Sequence, residues 1–186
     1  MNSSEINIAI VGATGAAGGT ALKLLLERNH PADKITLMAS ERSAGRKLRY
    51  DDTELIVVHA KADAFEGIDV ALFAAGGDVS RRLAHKAVER GVFVIDKGSI
   101  FRMDPTIPLV VPEVNGDDID WHPGIVSTPN CTSTPLVMVL DAVRELSAIS
   151  AVTVATYQSV TGTGVAANEE LLEQSRTVLA GGEAKP

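Results

Sequence analysis

Apolar residues in this chain fall into short runs separated by stretches of helical spacing. Residues 6–11, INIAIV, form a β-branched run that ends at GATGAAGG and is followed by ALKLLLERN, whose leucines recur at helical intervals. That order predicts a strand, a tight loop and a helix. Strand signals return at residues 35–39, more weakly at 55–59, then at 70–75 ahead of Gly76-Gly77 and at 92–96, with a helix over about 79–90. Buried strands alternating with helices build a parallel sheet covered on both faces, so the expected fold class is α/β, a Rossmann-like sheet.

Beyond Asp96 the pattern becomes irregular. Pro105, Pro108, Pro112 and Pro123 punctuate the chain before a last clear strand at residues 124–127, as in functional loops. The helix PLVMVLDAVREL, the strand AVTVATYQSV and the helix ANEELLEQSRTVLAGG then open a second unit. The expected division is a first domain over residues 1–132 and the start of another over 133–186, too short to finish a second sheet. The chain carries no internal repeat or low-complexity segment.

Composition narrows the possible partners. With 186 residues and 45% apolar content the chain can bury a core, enough for one domain and part of a second. A net charge of −7 and a pI near 5.1 argue against a nucleic-acid backbone as partner, which needs concentrated Lys and Arg. Arg42, Arg46, Lys47 and Arg49 do gather, and are open to two readings, a solvated face or an anion site. No apolar run approaches the roughly 20 residues that cross a bilayer. One cysteine excludes an internal disulfide, and the first residues lack the basic segment of a secretory signal, so the expected location is cytoplasmic.

Gly12, Gly15 and Gly18 stand three apart between the first strand and its helix. Without Cβ atoms the backbone turns tightly and lets a pyrophosphate approach the helix N-terminus, where free amides and the dipole favour an anion. Ala13 occupies the second position of the commoner G-x-G-x-x-G pattern, and a purely structural tight turn is the competing reading. The nicotinamide is chosen at the end of the second strand, in ASERSAGRK. Glu41 could accept from ribose hydroxyls, whereas Arg42 and Ser43 suit a 2′-phosphate, with Arg46 and Lys47 adding positive field; NADP is the cofactor expected.

Cys131 lies in STPNCTSTP, a polar turn directly ahead of a helix. Helix N-termini stabilise thiolates, so this cysteine reads as an activated nucleophile, against the ordinary alternative of an inert small hydrophobe. A nicotinamide site plus a thiolate suggests aldehyde chemistry through a thioester. Arg102, in GSIFRMDP, offers a planar fork for phosphate, or else pairs with Asp104 on the surface. Gln158, in TYQSVTGTG, could orient a substrate or simply face solvent. His30, His59, His85 and His122 occupy positions that recommend none of them as a base.

VGATGAAGG, LMASERSAGRKL, ALFAAGGDVSRRLA, FRMDPTIPLVVPEVN, TPNCTS and TYQSVTGTG occur in that order, and together they closely resemble the bacterial aspartate-semialdehyde dehydrogenases from about Ile6 to at least Leu172. The signatures around Cys131 and Gln158 are the most specific. The resemblance implies a phosphorylating, NADP-dependent enzyme that links L-aspartyl 4-phosphate to aspartate 4-semialdehyde and phosphate, on the way to lysine, methionine and threonine. It implies that Gly12 and the stretch Thr14, Gly15, Ala16 and Ala17 line the pyrophosphate, and that Arg42 with Ser43 holds the 2′-phosphate. Arg102 would hold phosphate, Cys131 carry the acyl group, Gln158 touch substrate, and Thr161 with Gly162 join the cofactor site. By the same resemblance, residues 133–186 begin a catalytic and dimerisation domain. Its general-base histidine and carboxylate-binding arginine would lie beyond Pro186, and the complete enzyme would be a homodimer or homotetramer.

The chain departs from the family at Lys97-Gly98, where Asn-Ser is usual, and at Thr128, where Asn is usual. Two related enzymes fit less well. N-acetyl-glutamyl-phosphate reductases have glycine before the cysteine, and glyceraldehyde-phosphate dehydrogenases have asparagine soon after it, where this chain has Thr134-Pro135. A non-catalytic NADP-binding module is the alternative from outside enzymes.

Overall fold

The computed structural model describes residues 6–185. They form two compact units, which divide between Ala151 and Val152. The first unit is built on seven strands: β1 (Ile8–Val11), β2 (Ile35–Ala39), β3 (Lys47–Tyr50), β4 (Thr53–His59), β5 (Val70–Phe73), β6 (Phe93–Asp96) and β7 (Ile125–Ser127). They lie in one sheet in the order β3-β4-β2-β1-β5-β6-β7, parallel throughout except for β3 against β4. The α/β expectation therefore holds, with every anticipated strand of residues 6–127 in place.

Alternation along the central strands feeds two cores. Ala9, Val11, Ala71, Phe73 and Val94 face helix α2 (Gly77–Val88), which lays Leu83, Ala84 and Ala87 against them. Ile10, Ile35, Leu37 and Val57 face the opposite way, toward helix α1 (Ala16–Glu27) and its Leu22. Strands buried on both faces can carry apolar residues at every position, which is why their sequences read as runs and not as alternations.

The hairpin strand β3 was not anticipated. Its basic residues read as a possible anion site, yet Leu48 and Tyr50 alternate inward with Lys47 and Arg49, the pattern of a half-exposed strand. Asp51, at φ 53°, turns the chain back into β4. Lys47 is held across the hairpin by Glu54 at 2.8 Å, and Arg49 Nε donates to the Asp51 carbonyl.

Around and after β7 the chain is mostly helical. Helix α3 (Pro112–Asn115) lies within the irregular loop between β6 and β7, and helix α4 (Ser133–Arg144) follows the Cys131 turn. The strand expected over AVTVATYQSV does not form: residues 150–159 have no regular structure. A β-branched segment becomes a strand only when a neighbouring edge takes up its amides and carbonyls, and no described strand pairs with it. The second unit is instead helix α5 (Val165–Leu179), preceded by a single turn over Val160–Thr163.

Candidate active site

The carboxyl ends of β1, β2, β4 and β5 surround a cleft of about 260 Å³. β1 is central, and the chain leaves it first toward β2 and later toward β5, so the cleft sits where an open α/β sheet reverses direction and ligands bind. Gly12, Thr14 and Gly15 line it together with the small residues Ala39, Ala60, Ala74 and Ala75 at the strand ends, and Val79 and Arg82 of α2.

Two of the three spaced glycines are required by geometry. Gly12 has φ 91°, and a Cβ there would lie 2.7 Å from the Ala74 carbonyl oxygen. A Cβ on Gly18 would overlap the carbonyl oxygen of Gly12, so this glycine seats α1 against the loop. Gly15 is the residue before α1 and supplies no side-chain cap. The first-turn amides at Ala16, Ala17 and Gly18, which no helix can satisfy internally, are thus left without a side-chain acceptor. That is a cradle for an anion beside a cleft with small-residue walls, and both features fit a dinucleotide. Arg42 and Ser43 occupy the single turn Glu41–Ser43 next to Ala39 and Ser40 of the cleft wall; Arg42 is exposed and Ser43 buried.

A second group of residues gathers at the ends of β6 and β7. Arg102 donates from Nε to the Thr128 carbonyl at 2.9 Å and from Nη2 to the Lys97 carbonyl at 3.1 Å. Two of its five donors are engaged and three remain. Asp104, the surface partner considered for it, instead accepts from the amide and hydroxyl of Thr106 at 2.9 and 2.6 Å. Those bonds lower the Asp104 carboxyl below its ordinary range, with a smaller contribution from His85.

Three residues after Thr128, Cys131 is exposed at the entrance to α4. Asn130 organises this turn. Its Oδ1 accepts from the Thr132 amide and hydroxyl at 2.9 and 2.8 Å, and its carbonyl accepts from the amides of Ser133 and Thr134. The Cys131 Sγ lies 3.7 Å from the same Oδ1.

Gln158, Thr161 and Gly162 belong to the second unit and lie close to one another there. A Cβ on Gly162 would meet the Gln158 amide nitrogen, and Ser159 Oγ accepts from the Thr161 amide at 3.3 Å. Three of the four histidines have structural occupations: His30 Nε2 faces the Ile6 carbonyl, His122 Nδ1 accepts from the Gly124 amide, and His85 meets Phe101 edge-on, while His59 is exposed at the end of β4.

Sequence reasoning missed two features. Arg82 lines the cleft, and the available signal was its position three residues after Val79, which puts both on one helical face. Asp96 is wholly buried at the end of β6 and accepts from Ser80 Oγ at 2.6 Å. Burial raises its pKa above the ordinary carboxylate value, opposed by the Ser80 hydroxyl, the Gly98 amide and the Arg102 charge. Among the described residues no cluster of His, Cys, Asp and Glu could hold a metal ion, and no helix is long and apolar enough to cross a membrane.

Comparisons with known proteins agree with this architecture. Residues 7–122 match the family model described as semialdehyde dehydrogenase, NAD binding domain. An aspartate-semialdehyde dehydrogenase of Bacillus subtilis is 46% identical over 181 residues, 97% of this chain and 52% of the relative; one from Aquifex aeolicus is 46% identical over 179. A crystal structure of aspartate semialdehyde dehydrogenase II from Vibrio cholerae, complexed with ASA, superposes with a TM-score of 0.90 at 40% identity, over 97% of this chain and 55% of that one. The enzyme from Candida albicans, solved with NADP, superposes at 0.61 over 76% of this chain and 47% of that one, with 29% identity. The chain spans about half the length of the curated relatives it matches. With the glycine cradle at the sheet reversal and the family match covering most of that sheet, the chain belongs to the semialdehyde dehydrogenase family, whose NAD-binding domain it carries.

Proposed function

We propose that this chain is the NADP-binding and nucleophile-bearing portion of an aspartate-semialdehyde dehydrogenase, converting L-aspartyl 4-phosphate to aspartate 4-semialdehyde and phosphate. The observation that carries the reading is the bond between Arg102 and Thr128, which joins the loop suited to phosphate to the loop that delivers Cys131. The similarity to aspartate-semialdehyde dehydrogenases along nearly the whole chain supports it.

Gly12, Thr14 and Gly15, with the free amides at Ala16 and Ala17, hold the pyrophosphate. Arg42 and Ser43, at the rim of the adenosine side, take the 2′-phosphate, which favours NADP over NAD. Arg102 offers its three remaining donors to the phosphoryl group of the acyl phosphate. The Cys131 thiolate attacks the acyl carbon, phosphate departs, and the thioester stays on Cys131. When bound, the nicotinamide supplies the reducing equivalent that releases the aldehyde. Gln158 is assigned a role toward the substrate, and Thr161 with Gly162 a role toward the cofactor, by the similarity along the chain. Residues 133–186 begin the catalytic and dimerisation domain, and the complete enzyme is a cytoplasmic homo-oligomer.

Mass spectrometry of the chain mixed with NADP and aspartate semialdehyde tests the reading. The expected result is an acyl adduct confined to Cys131 and absent from Cys131→Ser. An unmodified chain that also fails to bind NADP would remove both halves of the proposal. NADP binding without any adduct would leave a cofactor-binding module.

A further inference from the structure

Three fully buried polar side chains meet beneath the two loops just described. Ser80 stands on α2, Asp96 ends β6 and Ser127 ends β7, each with no exposed surface. Asp96 and Ser127 are partners in the parallel ladder, so their side chains leave the sheet at the same level and on the same face. Ser80 Oγ donates to Asp96 Oδ1, the Gly98 amide lies against the same carboxyl group, and Ser127 Oγ has no hydrogen-bond partner among the described residues. Burying a carboxyl group and an unpartnered hydroxyl costs free energy, which their surroundings must offset.

The surroundings supply one. The Asp96 main-chain oxygen accepts from the Thr128 amide at 2.9 Å, and Thr128 in turn accepts from Arg102. A Cβ on Gly98 would lie 3.1 Å from Asp96 Oδ2, so the start of the Arg102 loop rests directly on the carboxyl group. Through Ser80 the same carboxyl group is tied to α2, whose Val79 and Arg82 line the cofactor cleft. The Asp96 side chain therefore joins the cleft helix to the start of the Arg102 loop, and its main-chain oxygen holds the Thr128 loop.

We propose that Asp96 is a positioning residue for these loops. Clasped by Ser80 and lying level with Ser127, its side chain sets where the loop over residues 98–102 stands relative to the cofactor helix, and Arg102 passes that placement to Thr128 and hence to Cys131. It touches no reacting atom. The inference rests on the reading of Cys131 as the nucleophile.

The test uses the full chain and the rate of Cys131 alkylation by iodoacetamide at fixed pH, beside NADP affinity and melting temperature. Asp96→Ala is expected to change the alkylation rate about fivefold or more. Asp96→Asn, which can still accept from Ser80 and can donate toward Ser127, should stay within twofold of the original chain. Ser80→Ala removes one hydroxyl and serves if Asp96→Ala does not fold; it should change the rate about threefold with NADP affinity kept. Variants that melt earlier but alkylate at the original rate would make Asp96 purely structural and overturn the proposal. An original chain that alkylates no faster than a small-molecule thiol would remove the nucleophile reading, and this proposal with it. That outcome is told apart by the unmodified protein alone.

Discussion

Arg102 Nε donates to the Thr128 carbonyl at 2.9 Å across 26 positions of sequence, and this bond fastens the loop after β6 to the loop after β7. Its companion from Nη2 to the Lys97 carbonyl closes the first loop on itself. A planar fork can satisfy two carbonyls and still present donors outward, which a lysine ammonium cannot do in the same geometry. Arg102→Lys is therefore expected to weaken inorganic phosphate binding about tenfold and to cost about 1 kcal/mol of stability for the lost carbonyl bond. Phosphate titration by calorimetry and urea unfolding check the two effects separately. Unchanged phosphate affinity would return Arg102 to a structural role.

The glycine loop contains both obligatory and replaceable glycines. Gly18→Ala forces a Cβ onto the Gly12 carbonyl and should cost more than about 2 kcal/mol, because backbone and not a flexible side chain must give way. Gly19, the next residue of α1, has nothing within 4 Å of its virtual Cβ. Gly19→Ala should stabilise the chain by about 0.5 to 1 kcal/mol through helix propensity alone. Equal unfolding midpoints for the two variants would contradict this packing.

Arg82 and Arg81 are neighbours on α2 with different tasks. Arg81 pairs with Asp78 on the surface at 2.8 Å, whereas Arg82 lines the cleft. A cation on the wall of a dinucleotide site should contribute through phosphate or through stacking on the adenine. Arg82→Ala is expected to weaken NADP about fivefold to tenfold, and Arg81→Ala less than twofold, by fluorescence titration. The reverse ranking would show that the cofactor lies elsewhere in the cleft.

Burial raises the Asp96 carboxyl, so the folded chain binds its proton more tightly than the unfolded chain does. Its contribution is complete below the unfolded value of about 3.9 and is lost as pH rises through the higher folded value. Asp104 behaves oppositely. Its lowered pKa gives stability that is present above the unfolded value and is lost as pH falls, although its place at the surface makes this a small effect. Relative to Asp96→Asn, the original chain should lose stability as pH rises from about 4 through the raised folded value, measured by urea unfolding at several pH values. A difference independent of pH would mean that Asp96 ionises as freely in the fold as in the unfolded chain.

Much of the fold was legible because buried parallel strands announce themselves. Residues 70–75 and 92–95 are apolar at consecutive positions, as are residues 35–39 but for Thr36, and a sheet covered on both faces accommodates that. β3 was hidden because its inward Leu48 and Tyr50 are interleaved with Lys47 and Arg49, charges that drew attention to ligands and away from pairing. The expected strand over AVTVATYQSV illustrates the converse, since local β propensity needs a partner edge that the described residues do not provide.

The sequence by itself determined the α/β class, the glycine turn before α1, and the placement of Cys131 ahead of a helix. Each depends on residues close together in the chain, where spacing and residue type dictate the backbone directly. Only the tertiary structure decided that Gly18 is needed for seating a helix, that Arg102 answers to Thr128 and not to Asp104, and that Arg82 faces the cleft. It also brought Ser80, Asp96 and Ser127 into one buried layer. Such relationships join residues from different strands and helices, and they arise from strand order and register, which become fixed only when the sheet assembles.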